Sequence, residues 1–431
     1  MSTTSIPNGS GLAVKKWSAA LYAMAVKQPT MLKTLAGPAP TIDGASGVLA
    51  RQTTPGLPLV RITDLSAGAG DQVRMDCAQV VKLRAIMGDQ NAEGRGASLK
   101  FSYQDIRIDM ATLPVSAGGK MTQQRFQHDL RAVALAQLKG SIPAFLWQRV
   151  LAALAGARGE QDGTDWILPL STDPEFADQM VNALQAPTYN RHYVVDGTGL
   201  VQGGQQLGSI DSTDIMRLSH IDALAALYDE MTIKMMPLNI PGDQAASDDP
   251  IKGVLMVDPL VWDGLITDTT VGNNIRQWQA AAVERAQYGK LGAHPLFAPG
   301  SLLWNGIIVR KMTQGIRFSA AANVNIVTQA NRYTATETQQ TVDGIGAGFQ
   351  VSRSLLLSAQ ALGMAGGANT TSGVPYSMLE NTTNYGRNLE LAGEVIGGEQ
   401  KTRFALPNET GQAEPTDFGV MVIDSITARR V

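Results

Sequence analysis

The chain has 431 residues, room for two or three domains or for one fold with large extensions. A net charge of −3 excludes a surface built to coat nucleic acid throughout, and the single cysteine, Cys77, excludes an internal disulfide and speaks against a cysteine-rich metal site. Only 17% of residues are charged, below the usual quarter, as suits a chain that loses surface to neighbours.

Residues 1–42 carry Lys15, Lys16, Lys27 and Lys33 and no acidic residue. The pattern over 15–35 suits a helix, which Gly37, Pro38 and Pro40 break. Residues 17–26 lie behind two lysines like a leader segment, but start late and are interrupted by Ser18 and Tyr22, so they read as an amphipathic arm helix. No apolar run reaches the roughly 18 residues of a membrane span, so no membrane partner is expected. Residues 48–64, with Pro55, Gly56 and Pro58, read as extended. Two readings of the arm stay open: a basic segment that meets a neighbour or a polyanion, and a solvated terminus.

From Val73 to Met87 apolar residues alternate with Arg74, Asp76, Lys82 and Arg84, a strand pattern. Leu99, Phe101 and Tyr103 continue it on a return strand, and a switch of parity to Ile106, Ile108 and Met110 predicts a bulge near Gln104 and Asp105. Between the strands lies a polar, glycine-rich tip that holds Asp89, Asn91, Glu93 and Arg95. Strands of fifteen residues would span roughly 50 Å, and an isolated two-stranded hairpin is marginal in water. Such a hairpin must lie on something, and if its own domain does not cover it another subunit does.

A helix is predicted over 122–155, with Thr122 as its N-cap, a kink or break at Pro143, and Gly156 and Gly159 ending it. It would be roughly 50 Å long. Residues 160–208 are rich in turns. Helices are expected over 214–233 and 274–288, a short buried strand over 254–257, and a helical turn at Trp262 and Leu265.

Chemistry-bearing motifs are sparse. The glycines 344, 346 and 348 do not give the dinucleotide spacing, glycines 9 and 11 before Lys15 do not give a phosphate loop, and the segment from Asp211 to Asp214 reads as a helix start, not a calcium loop. His128, His192, His220 and His294 stand apart and read as structural, and Cys77 reads as a small buried hydrophobe. Neither a catalytic constellation nor a cofactor is expected.

The second half carries a more specific pattern. His294, Pro295, Leu296 and Phe297, then Gly300, then Leu303, Trp304, Asn305 and Gly306 with Ile307, Ile308 and Val309, resemble a segment of phage coat proteins. So do the run from Ser354 through Leu355, Leu356 and Leu357 to Gln360 and Ala361, the turn from Tyr385 to Leu389, and closing strands at 401–404 and 417–424. The chain thus resembles the major capsid proteins of podoviruses similar to coliphage N-four. That resemblance implies an α+β, Hong Kong 97-like fold with an N-terminal arm (1–70), an extended E-loop hairpin (71–112), a peripheral domain (113–210) with a spine helix, an axial domain (211–415) and a C-terminal strand (416–431) returning to the peripheral domain. It also implies that the run from Ser354 to Ala361 is helical. Residues 313–350 look longer than the family pattern and read as an insertion or an enlarged loop.

The resemblance implies a non-catalytic shell protein that assembles into pentamers and hexamers of an icosahedral head. Scaffold, portal and decoration proteins are expected as partners, and packaged double-stranded DNA would be met through its phosphates without sequence preference. The expected subunit contacts are Arg74, Lys82, Arg84, Asp89, Asn91, Glu93 and Arg95, with Lys15, Lys16, Lys27 and Lys33 of the arm. The expected location is the virion capsid, assembled in the bacterial cytoplasm. An encapsulin-like compartment, an enzyme of another family and a tail or decoration protein are the alternatives.

Overall fold

The structure, a computed structural model, describes residues 31–36, 56–62, 70–78, 84–88, 91, 93–96, 98–125, 129–163, 165–197, 199–246, 248–267, 275–289, 294–297, 300–346, 348–367, 376–408 and 410–428. It is a mixed α+β protein built on two larger sheets. The first has eight strands. Its main path runs Gly199–Gln202, His192–Asp196, Val420–Ala428, Phe349–Leu357, Gly253–Val257, Ile307–Lys311, Leu302–Trp304, and Ile316–Phe318 also pairs with Phe349–Leu357. The two middle strands pair antiparallel from Phe349 opposite Ala428 to Leu357 opposite Val420, and both are buried almost end to end. Apolar cover on both faces explains their near-continuous hydrophobic sequences.

This corrects the helix expected over Ser354–Ala361. Leu355 and Leu357 face one core cluster and Leu356 the other, the twofold alternation of a strand with both faces covered. On the side of Leu356 lie residues of the helices Leu218–Glu230, Pro259–Thr267 and Ile275–Tyr288. On the other lies the C-terminal half of the long helix Leu130–Ala155.

That helix begins later than expected. A short helix, Lys120–Arg125, precedes it, and the cap is Asp129, whose carboxylate accepts from the N–H groups of Arg131 (2.9 Å) and Ala132 (3.2 Å). It runs through Pro143 without interruption. Pro143 sits on the exposed side, and the hydroxyl of Ser141 donates to the Gln137 carbonyl. It ends at Gly156, where φ is 67° and a Cβ would stand 2.2 Å from the carbonyl oxygen of Gln185. Glycine alone satisfies both conditions.

The five-stranded sheet lies on the other half of this helix. Its long central strand, Asn388–Lys401, pairs with Asp109–Gly119 on one side and with Tyr376–Thr383 and Leu362–Gly366 on the other, and Leu59–Ile62 joins parallel to Leu362–Gly366. Ala134 and Leu138 of the helix pack on Ala117 and Leu391. Sheet pairing divides the chain differently from the expected boundaries. Residues 362–401 belong with 109–119, not with the sheet of residues 253–257, while Val420–Ala428 lies in that latter sheet between His192–Asp196 and Phe349–Leu357.

Other differences are local. The helix expected over 214–233 is Leu218–Glu230. Asp214 does not start it; its carboxylate accepts from the N–H groups of Gly197 (2.8 Å) and Asp211 (2.9 Å) and closes a loop. Within 313–350, Asn323–Val327 and Glu337–Thr341 form an antiparallel hairpin.

Candidate assembly surface

The hairpin read from sequence is present in shorter form. Gln72–Ala78 pairs with Phe101–Arg107 in one unbroken register, from Gln72 opposite Arg107 to Ala78 opposite Phe101. The expected bulge at Gln104 and Asp105 is absent, and Arg84, Ala85, Ile86 and Met87 are not in a strand. The reason is Gln104. It points inward, donates to the Lys401 carbonyl (2.8 Å) and accepts from the Arg403 N–H (2.8 Å), so a polar residue occupies the inner parity between Ser102 and Ile106. Asn182 exchanges hydrogen bonds with the N–H (3.0 Å) and carbonyl (2.9 Å) of Arg107. The base of the hairpin is thereby fastened to the sheet.

With no parity switch, Phe101 and Tyr103 face outward. Phe101 is 67% exposed, Tyr103 63%, Leu99 69% and Met87 74%. Phe101 and Tyr103 stand on the ladder, and Leu99 and Met87 lie outside it; large apolar side chains left exposed in this way make the hairpin a candidate surface for another molecule. Val73, Met75 and Cys77 face inward as expected, and burial pushes the Cys77 thiol up, away from thiolate chemistry.

Arg74 pairs with Asp105 through two hydrogen bonds (2.8 and 3.0 Å), and its guanidinium lies 4.3 Å from the centre of the Tyr103 ring. Their mutual hydrogen bond raises the pKa of Arg74 and lowers that of Asp105. Both are exposed, so the pair orients the ring more than it adds stability. At the tip, Asn91 accepts from the Glu93 N–H (3.0 Å), and Gly88 and Gly94 take left-handed conformations. Arg84, Asn91, Glu93 and Arg95 are exposed around it. Asp89 and Lys82 lie outside the described residues, as do Lys15, Lys16, Lys27 and the side chain of Lys33. Sequence reasoning missed the outward aromatics, because their direction depends on the register set by Gln104.

A second surface is the face of the five-stranded sheet turned away from the long helix. Cross-strand register brings together Met110, Thr112, Pro114 and Ser116 with Ile396, Glu394, Ala392 and Glu390, and then with Ser377, Leu379 and Asn381. This face has apolar side chains, two carboxylates and no basic residue at these positions. Met110 and Leu379 are exposed.

The buried charged groups act as staples. Asp424 receives Arg353 through both oxygens (2.8 and 2.7 Å) and His192 Nε2 at 2.7 Å, with all three side chains fully buried. Arg353 also donates to the Ala155 carbonyl at the end of the long helix (2.9 Å). Arg353 and His192 together hold the Asp424 carboxyl well below the usual range, and burial pushes His192 down. Asp417 holds Lys401 and Arg403, each at 2.8 Å, and Glu399 holds Arg149 at 2.8 Å. Burial lowers Lys401 to about 8 and raises Glu399. Each carboxylate is committed to a cation, an arrangement that fixes strands rather than moving protons. Among the described residues no group of three or more His, Cys, Asp or Glu is placed to hold a metal ion, and no helix is long and apolar enough to cross a membrane.

Two long-range pairings, an outward apolar ladder and stapled sheets thus define a protein that offers surfaces for packing. The sequence matches the phage capsid protein family over residues 5–429, and the chain belongs to that family. It is a major capsid protein, with a structural role in the head shell of a bacteriophage. Its fold is similar to that of the capsid of Ralstonia phage GP4 (TM-score 0.70, 24% identity, covering 100% of this chain and 99% of that one). It is also similar to the Cyanophage Pam1 capsid (0.63, 15%, covering 99% and 100%) and to the acid-stable capsid of Helicobacter pylori bacteriophage KHP30 (0.59, 12%, covering 97% and 96%). Among curated proteins none matches the chain.

Proposed function

We propose that copies of this chain, in a Hong Kong 97-type fold, close an icosahedral shell of pentamers and hexamers around double-stranded DNA. The carrying observation is the outward pair Phe101 and Tyr103 on the ladder, with Leu99 just before them, which their own subunit leaves exposed. The hairpin lies across an adjacent copy. Its receiver is the outer face of the five-stranded sheet, where Glu390 and Glu394 stand among Met110, Leu379 and Ile396 and complement Arg84 and Arg95 near the hairpin tip and Lys100 next to Phe101. Contacts of this kind, repeated head to tail around an axis, close into rings.

In this reading the shell has no catalytic role and no cofactor. The long helix and the five-stranded sheet form the peripheral part, the eight-stranded sheet and its covering helices the axial part, and residues 1–70 the arm, whose strand Leu59–Ile62 joins the peripheral sheet. Scaffold, portal and decoration proteins are its partners, DNA is touched through its phosphates, and the shell is built in the bacterial cytoplasm before residing in the virion.

Negative-stain electron microscopy of the purified chain, alone and with its scaffold, tests the reading. Closed shells or rings are expected for the native chain, and folded, unassembled subunits for the variant Phe101→Ser with Tyr103→Ser. A native chain that stays monomeric in both preparations overturns the shell reading. Normal shells from the double variant overturn the role of the ladder.

A further inference from the structure

The hairpin Asn323–Val327 with Glu337–Thr341 leaves one edge open. Val342 donates to the Ala322 carbonyl (2.9 Å) and its own carbonyl accepts from the Ala321 N–H (2.9 Å), a bulge at the end of the ladder that turns the Ala322 carbonyl toward the partner strand. Alternation then makes Val324 with Gln340, and Ile326 with Thr338, the hydrogen-bonded pairs of the antiparallel ladder. The N–H and carbonyl groups of Asn323, Asn325 and Val327 therefore point away from the partner strand. No lysine or proline guards this strand, the usual protection of an edge.

A cavity of about 770 Å³ lies beside it, lined by Asn323 and Asn325, by Gly156 at the end of the long helix, and by Phe176, Leu184 and Phe318. A neighbouring cavity shares Glu160 and Phe318 and adds Asp162. The basic groups here are committed. Arg158 donates to the Leu168 and Gln161 carbonyls, and Arg317 to Asp258 (2.8 and 3.0 Å). Glu160 and Asp162 are exposed, so the rim is acidic.

We propose that this groove receives an extended stretch of the N-terminal arm of a second copy, residues 9–16, added as a third strand along Asn323–Val327. This rests on the reading that copies assemble. The arm supplies what the groove lacks. It is basic, with no acidic residue in 1–42; Leu12 and Val14 have the spacing of one strand face, which would suit an apolar floor, and Lys15 and Lys16 follow, which would suit an acidic rim. Residues 17–30 link this stretch to the first described residue, Met31, a tether that spans at most about 50 Å. Main-chain bonds would give affinity and the alternate side chains specificity.

Disulfide trapping tests this in the full chain carrying Cys77→Ser. One pool bears Asn325→Cys and a tag. The other bears a cysteine in place of Leu12, Ala13 or Val14. The pools are mixed under assembly conditions, oxidised mildly and resolved on a non-reducing gel. The expected result is a tagged heterodimer from at least one arm position, and its loss when the tagged pool carries Asn323→Cys with Asn325→Pro, which removes an outward N–H at a position an edge strand tolerates. Shells without any heterodimer overturn the arm as occupant and leave the assembly reading intact. A disulfide within single chains, from a chain bearing both cysteines, in place of heterodimers overturns the second copy. If no shells form the assembly reading fails, and the same gel on free subunits decides the groove: heterodimer supports it and none rejects it.

Discussion

At His192 one ring nitrogen is fully used and the other is not. Arg353 keeps Asp424 ionised, so Nε2 must carry the proton it donates to that carboxylate, and Nδ1 is left bare. Nδ1 is buried without a hydrogen bond, against Gly204 and close to Ile326. Protonating it would add a cation beside Arg353 and Lys401, whose charges already oppose one, with only Asp424 to favour it. The folded pKa is thus below the unfolded value, and the unfolded chain takes up a proton that the folded chain refuses. Stability from this residue is present above about pH 6.5 and falls as pH drops through it, by at most about 1.4 kcal/mol per pH unit. Thermal melts between pH 7 and 5 should show that slope, and His192→Gln, which still donates to Asp424 but does not titrate, should flatten it by one proton's worth. An unchanged slope would rule out this origin. At the same site Asp424→Asn should cost on the order of 3–5 kcal/mol, read by chemical denaturation, because it leaves Arg353 buried without its counter-charge.

Among elements, the long helix depends on its two ends. Asp129→Ala removes the acceptor for two N–H groups and should cost about 1 kcal/mol. Gly156→Ala should cost on the order of 1–3 kcal/mol, since alanine is strained at that φ and its Cβ meets Gln185. Denaturant titration of both variants should rank them in that order, and equal stability of Gly156→Ala and the native chain would contradict the geometry. The C-terminal end was legible in the sequence because a glycine after an apolar run has a local cause. The N-terminal end was not, since Thr122 and Asp129 are both competent caps and packing on Ala117 and Leu391 decides between them. The hairpin shows the same division. Its inner parity at Val73, Met75 and Cys77 was legible, whereas the outward direction of Phe101 and Tyr103 follows from Gln104 reaching backbone some 300 residues away. The three leucines at 355–357 read equally well as helix or strand, and only cover on both faces settles them as strand.

For the whole molecule, the distribution of charge matters more than its sum. The hairpin carries Arg84 and Arg95 near its tip and Lys100 next to Phe101, and the sheet face carries Glu390 and Glu394 among apolar neighbours. If one meets the other between copies, Glu390→Lys with Glu394→Lys should slow shell formation and raise the protein concentration needed for it, as followed by light scattering. Adding salt should weaken the native contact and relieve the variant's repulsion, so that the two converge. Equal assembly of both at low salt would exclude this face as the receiver.

The position of Val420–Ala428 in the eight-stranded sheet bears on how the chain is made. This strand fills the gap between His192–Asp196, to which it runs parallel, and Phe349–Leu357, to which it runs antiparallel. Until the ribosome has released it, those two parts have a slot one strand wide between them and cannot join. A subunit whose synthesis halts before residue 420 lacks the carboxylate that neutralises Arg353 as well as the strand itself. Translation must therefore pass that point before this sheet can close, and a chain cut before residue 420 should fail to reach the folded state that packing between copies requires.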